Sequence, residues 1–165
     1  MGANMDSKEL QRQIAELEAM VVKIEEQARS VPDDRWDAPL HLGEEGWTRR
    51  QLLAHVASND LRQMVRLRLG AGVREPGDFE EFYKQSDVDG WNRHQVQLRR
   101  SRSVDALISE MHFNRSGLVA LLEKLTTDQR ERARINRRGQ LMTLAEWFPM
   151  LLQHDADHIR EVTEE

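Results

Sequence analysis

Leu10, Ile14, Leu17, Val21, Ile24 and Ala28 recur at alternating steps of four and three. Because 3.6 residues complete a helical turn, that spacing puts all six side chains on one face. A helix with one apolar stripe must bury it against another element, so this stretch demands partners. The pattern predicts a helix over residues 7–29, ended by Pro32 and the acidic pair Asp33-Asp34. About three heptads are short for a coiled-coil strand, which leaves a bundle helix as the reading.

Three more segments carry helical patterning, and none shows the turn-flanked alternation of a strand. Thr48-Arg49-Arg50-Gln51 has the form of a capping box and opens the second. Its apolar arc is Leu52, Leu53, Val56, Ala57, Leu61 and Met64, and Gly70 and Gly72 should stop it after Leu69. The connection before it, residues 31–47, holds Pro32, Pro39, Gly43, Gly46 and two tryptophans, Trp36 and Trp47, that should pin it to the helices. Residues 70–87, with Pro76 and Gly77, form a second long connection. A helical region follows from Val88, with Ser101 or Ser103 as a fresh N-cap. The main third helix then spans Val104 to Leu125, burying Leu107, Ile108, Met111, Leu118, Leu122 and Leu125. Residues 126–139 read as a polar connection. Thr143-Leu144-Ala145-Glu146 is another capping box, and the last helix runs from there to Val162 with Pro149 beyond its first turn. Four such helices give an all-α four-helix bundle, and the long connections permit crossovers.

At 165 residues the chain has the length of a single domain, residues 1–165. Charged residues make up 32% and hydrophobic ones 39%, a balance that suits a soluble globule and disfavours disorder. No apolar run reaches the roughly 18 residues a membrane helix needs. The opening MGANMDSKEL lacks the basic-then-apolar order of a secretion signal, so the cytoplasm is the expected location and no membrane partner is expected. The absence of cysteine removes disulfides, thiolate ligands and a cysteine nucleophile. The net charge of −5 argues against a nucleic-acid partner and leaves a small-molecule substrate. Arginine supplies 20 of the 24 cations, which reads as a genomic or thermal bias with little functional content.

Chemistry enters with the six histidines, His41, His55, His94, His112, His154 and His158. His154 and His158 stand at i and i+4, on one face of a helix and close enough to share a metal ion. Neutral imidazoles are good ligands for zinc, nickel and related ions. On the helical wheel His158 falls inside the arc of Leu144, Phe148, Leu151, Ile159 and Val162, and His154 lies at its edge beside Trp147. Asp155 also points into the arc, where a carboxylate needs a cationic or hydrogen-bonding partner. It is the candidate proton acceptor or supporting group of the site, unless it finds solvent near the helix end. A third ligand must come from a facing helix, and His55 is the best candidate. Its stripe, with Asn59, Arg62 and Arg66, reads equally as the wall of a polar cleft or as a solvated face. HDADH departs from the zinc-protease HExxH pattern, since aspartate replaces glutamate and the seven residues after His158 leave no room for a downstream ligand.

GWTRRQLLAHVASND resembles the second-helix signature of the DinB-like superfamily, which includes thiol-dependent maleylpyruvate isomerases and bacillithiol transferases. WNRHQVQLRRSRS resembles the entry to that family's third helix and LLQHDADHIREV its last helix, so the likeness spans residues 8–163. The resemblance implies a four-helix bundle holding one divalent ion, zinc or nickel, on His55, His154 and His158. Relatives often dimerise, so the resemblance makes a homodimer possible, and several relatives use a low-molecular-weight thiol co-substrate. Some thiol-dependent relatives place a carboxylate at one ligand position, whereas all three are histidine here.

Three protein ligands on a tetrahedral ion leave one position open, the mark of a catalytic centre. Two chemistries fit: activation of a thiol for transfer to an electrophile, and activation of water for hydrolysis. Asn59, Arg62 and Asn92 are the candidate substrate contacts. A third possibility is a non-catalytic stress-response or interaction bundle.

Overall fold

The computed structural model describes residues 6–40, 46–74, 80–85 and 87–163. His41, Gly43, Pro76 and Gly77 lie outside them. Helix α1 spans Ser7–Arg29, with Asp6 as N-cap accepting from the Glu9 backbone N–H, and its whole predicted stripe is buried. A 3-10 turn at Asp33–Arg35 leads to Trp36, which is buried, and to a bridge between Pro39 and Thr48.

Helix α2 spans Arg49–Ala71 and opens on the predicted capping box. It does not stop at Gly70. The helix passes through that residue to Gly72, which caps it in the left-handed conformation with φ 66°. Gly70 serves a different purpose, because a Cβ there would lie 2.6 Å from the Arg134 carbonyl oxygen. Leu61 and Met64 are only partly buried, while Val65 and Leu67 are fully covered, as are the polar residues from Ser58 to Asp60. Helix α2 is thus enclosed on nearly every side, and a single apolar arc describes it poorly.

Helices α3 (Glu80–Gln85) and α4 (Val88–Leu98) follow, and α4 packs on α2. Ser103 caps α5, Val104–Lys124, and all six predicted core residues there and at Leu125 are buried. The stretch expected to be a plain connection holds a short helix, α6 (Thr127–Arg132), and a hairpin of β1 (Ile135–Arg137) and β2 (Gln140–Met142). Three-residue strands are too short to show alternation. The hairpin owes its existence to its turn and to docking. Arg138 and Gly139 both take positive φ, the Gly139 N–H donates to the Asn136 side chain, and the Arg134 N–H donates to the Gly70 carbonyl at 2.9 Å. Helix α7, Leu144–Thr163, completes the chain, with Glu146 and Thr143 bonded reciprocally at its start.

The four long helices, α1, α2, α5 and α7, form the bundle. Asn114 donates to the Ala57 carbonyl, and Met64 packs at Gly117, so α2 and α5 run parallel. Arg49 reaches the Val162 carbonyl and Trp147 reaches Gln63, so α2 and α7 run antiparallel. His112 meets Glu25 and Arg115 meets the Leu17 carbonyl, so α5 opposes α1. The order is therefore up-down-down-up. Residues 72–103 must carry the chain back along the bundle, and α3 and α4 make that crossover. Among the described residues no helix is long and apolar enough to cross a membrane.

The core falls into two apolar clusters. One holds Leu10, Leu17, Leu118, Trp147 and Leu151; the other holds Val21, Ile24, Met111, Ile159 and Val162. Between them lies a buried polar layer made by Asp60, Arg115 and Asp155.

Candidate metal centre

The antiparallel pairing of α2 and α7 brings His55 to His154 and His158. The Nε2 atoms of His55 and His154 are 3.3 Å apart, and one ring nitrogen from each of the three residues lies within 4.8 Å of the others. For metal–nitrogen bonds of about 2.0–2.1 Å, tetrahedral geometry sets nitrogen–nitrogen separations of about 3.3 Å. Two imidazole nitrogens at that distance must share a proton or a cation. Burial, then the neighbouring His154 and His158, push the His55 imidazole well below its ordinary range. Burial and His154 lower His158 as well, against the pull of Glu161. Both rings are therefore neutral near pH 7, which is the ligand form.

Two of the rings are held from behind. His154 Nδ1 is 3.1 Å from Asp155 Oδ1, and His158 Nδ1 is 3.0 Å from Glu161 Oε2. A carboxylate on Nδ1 fixes the tautomer that leaves Nε2 as a lone-pair donor. Asp155 does not find solvent: it is 1% exposed, and its other oxygen accepts from Arg115 Nη2 at 2.6 Å. It stands behind His154 and does not line the cavity in front of it. Despite burial, bonds from His154 and Arg115 hold its carboxyl below the usual carboxylate range. Arg115 also donates to Asp60 at 2.6 Å, so one guanidinium faces two buried carboxylates. Burial raises the Asp60 carboxyl above its ordinary range. Asp155 is therefore the carboxylate that the cluster of three imidazoles has directly behind it, an arrangement that suits a cation among the rings.

The three histidines floor a cavity of about 270 Å³. Asn59, Arg62 and Asn92 line it, together with Trp47, Arg66, Arg137 and Arg138. The stripe on α2 is thus the wall of a polar cleft, not a solvated face. Gln63 organises this wall by donating to Asn59 Oδ1 at 3.0 Å and accepting from the Trp147 indole at 3.2 Å. No carboxylate lines the cavity among the described residues. A larger groove of about 800 Å³ between α2 and α5 has neither histidine nor carboxylate in its lining. Of the remaining histidines, His94 stacks on Phe82 and His112 pairs with Glu25. His41 is outside the described residues.

Asp60, Arg115 and Glu161 were not among the residues picked from the sequence. A signal existed for two of them. Arg115 sits four residues after Met111 and three before Leu118, on the buried register of α5, and Asp60 sits four after Val56 on α2. A charge in an apolar register marks a buried polar contact.

The family relationships agree with this geometry. The chain is 26% identical over 154 residues to the "Putative metal-dependent hydrolase YfiT" of Bacillus subtilis, covering 90% of this chain and 79% of that protein. It is 24% identical over 163 residues to a protein of the same description from Bacillus licheniformis, covering 95% and 85%. The solved structure of Bacillus subtilis YfiT, described as a probable metal-dependent hydrolase with an unusual four-helix bundle topology, aligns with a TM-score of 0.67. That alignment covers 99% of this chain and 89% of the other at 20% identity, a likeness of fold. The model of the DinB superfamily matches residues 9–162, nearly the whole chain and all three histidines, and the chain belongs to that superfamily.

Proposed function

We propose that this protein is a divalent-metal-dependent enzyme, with zinc or nickel on His55, His154 and His158, that transfers a low-molecular-weight thiol to an electrophilic small molecule. The observation that carries this reading is the composition of the cavity: three ligand imidazoles at its floor and no carboxylate in its described walls. When bound, the ion supplies Lewis acidity, which turns a thiol into a thiolate or a water into a nucleophile. A thiol that such an ion would acidify would need no carboxylate base from the cavity walls, in keeping with their composition. In the reaction sulfur bonds to the electrophilic carbon as the bond to the leaving group breaks. The leaving group departs with that electron pair, and the proton lost by the thiol passes through solvent to the leaving group.

The remaining roles follow from placement. Asp155 and Glu161 are positioning residues that aim His154 and His158. Asn59, Arg62 and Asn92 contact the substrate. Trp47, whose ring centroid is 5.4 Å from that of His55, covers the third ligand.

Hydrolysis is the second reading, favoured by the description of the two Bacillus relatives. Protein purified without chelator should carry near-stoichiometric metal that is lost in His154→Ala and His158→Ala; metal-free protein would favour a non-catalytic bundle. Turnover of an electrophile should require added bacillithiol, mycothiol or glutathione. Turnover of an ester or amide that ignores thiol would replace transfer with hydrolysis.

A further inference from the structure

Four arginines converge on the cavity beside the histidines. Arg62 and Arg66 come from α2, and Arg137 and Arg138 from the hairpin. Arg62 is 7% exposed and Arg66 is 8% exposed, and the Nε atoms of both are buried without a hydrogen-bond partner. An unpaired buried guanidinium is costly, and like charges crowded together add to the cost. Burial, then Arg66, lowers Arg62 to about 10, and Arg138 adds to the effect. The contacts these groups do make are weak substitutes for a counter-ion. Arg62 lies over the Tyr83 ring at 5.6 Å, and Arg66 Nη1 is 3.5 Å from Gln63 Oε1. Asp89 is near enough for its field to favour the Arg62 charge, but it does not line the cavity.

The hairpin's placement has the same consequence. Its turn sets Arg138 in the left-handed region at φ 50°, a conformation that a bulky residue adopts at a cost. The link from Arg134 to Gly70 ties this turn to the C-terminal half of α2, which carries Arg62 and Arg66. A guanidinium recognises carboxylate and phosphate through a planar fork of donors, and paired forks suit a group with two negative charges.

We propose that Arg62, Arg66, Arg137 and Arg138 form an oxyanion-recognition subsite, so that one of the molecules entering the cavity carries a doubly charged group, a pair of carboxylates or a phosphate, close to its reacting atom. This rests on the reading that the three-histidine cavity is the reaction site, but it is testable without turnover. Isothermal titration at low salt with inorganic phosphate and with succinate, on metal-loaded and on chelator-treated protein, measures it directly. Neutral succinamide is the control. Saturable binding of at least one dianion to both protein forms is expected, with none for succinamide. Because Arg137 and Arg138 are exposed, Arg137→Gln combined with Arg138→Gln should leave the helical circular dichroism intact yet weaken binding by about tenfold or more. Arg66→Gln should weaken it too. No saturable binding below about 10 mM, or equal affinity in the variants, would overturn the proposal. So would binding that needs the metal and ignores the arginines. If the protein takes up no metal but the chelator-treated form still binds dianions through these arginines, the subsite stands and the metal-enzyme reading alone falls.

Discussion

Arg115 touches every long helix of the bundle. It extends from α5 to the Leu17 carbonyl of α1, to Asp60 of α2 and to Asp155 of α7, all within 2.9 Å. Asp60 and Asp155 keep its guanidinium charged against the cost of burial. Removing it would leave two carboxylates facing each other in the dry middle of the bundle. Arg115→Met should therefore destabilise the protein by about 3–5 kcal/mol in urea unfolding, the cost of breaking a buried ion pair from one side. Adding Asp60→Asn should restore part of that loss, because it removes one of the stranded charges. Asp155 links this network to the candidate ligand His154. Asp155→Asn keeps the volume but loses the charge on Nδ1, and metal affinity should fall by about 10–100-fold in a competitive chelator titration. Unchanged affinity would mean that Asp155 serves only the core.

At the scale of elements, α2 does most to build the site. It carries His55, Asn59, Arg62 and Arg66 along one line, and its C-terminal end anchors the hairpin that brings two more arginines. The anchor depends on Gly70. Alanine in place of glycine favours a helix by about 1 kcal/mol. Here the added Cβ would meet the Arg134 backbone oxygen at 2.6 Å, and backbone cannot swing aside as a side chain can. The clash should win, so Gly70→Ala is expected to lower stability by about 1–3 kcal/mol. It should also weaken dianion binding while leaving metal stoichiometry intact, since His55 lies four turns away on the same helix. A stabilised Gly70→Ala protein with unchanged anion affinity would show that the hairpin does not lean on this contact.

For the whole molecule, a metal held by the three histidines would join helices that are remote in sequence. His55 and His154 are 99 residues apart, so a ligand bound only by the folded state stabilises the assembly of α2 against α7. At free metal about 100 times Kd the gain is about 2.7 kcal/mol, or roughly 5–10 °C in Tm for a chain of this size. Chelator should lower Tm by that amount in the wild-type protein and have little effect on His55→Ala, as measured by scanning calorimetry. Equal shifts in both would place the metal elsewhere.

Much of this architecture is local and therefore legible in the sequence. The stripe from Leu10 to Ala28, the capping boxes at Thr48 and Thr143, and the His154-His158 pair depend on helical periodicity and on contacts three or four residues apart. Contacts across the molecule are a different matter. The hairpin is two three-residue strands held in place by α2, and α2 itself is covered nearly all round, so neither shows its role as a pattern. The arginine excess resembled a compositional bias, yet four of those residues gather at one cavity. His55 and its polar stripe fitted a cleft or a solvated face equally well along the chain. Only the packing of α2 between α5, α7 and the hairpin decided between them, because solvent exposure is a property of the neighbours a residue acquires and not of its place in the helix.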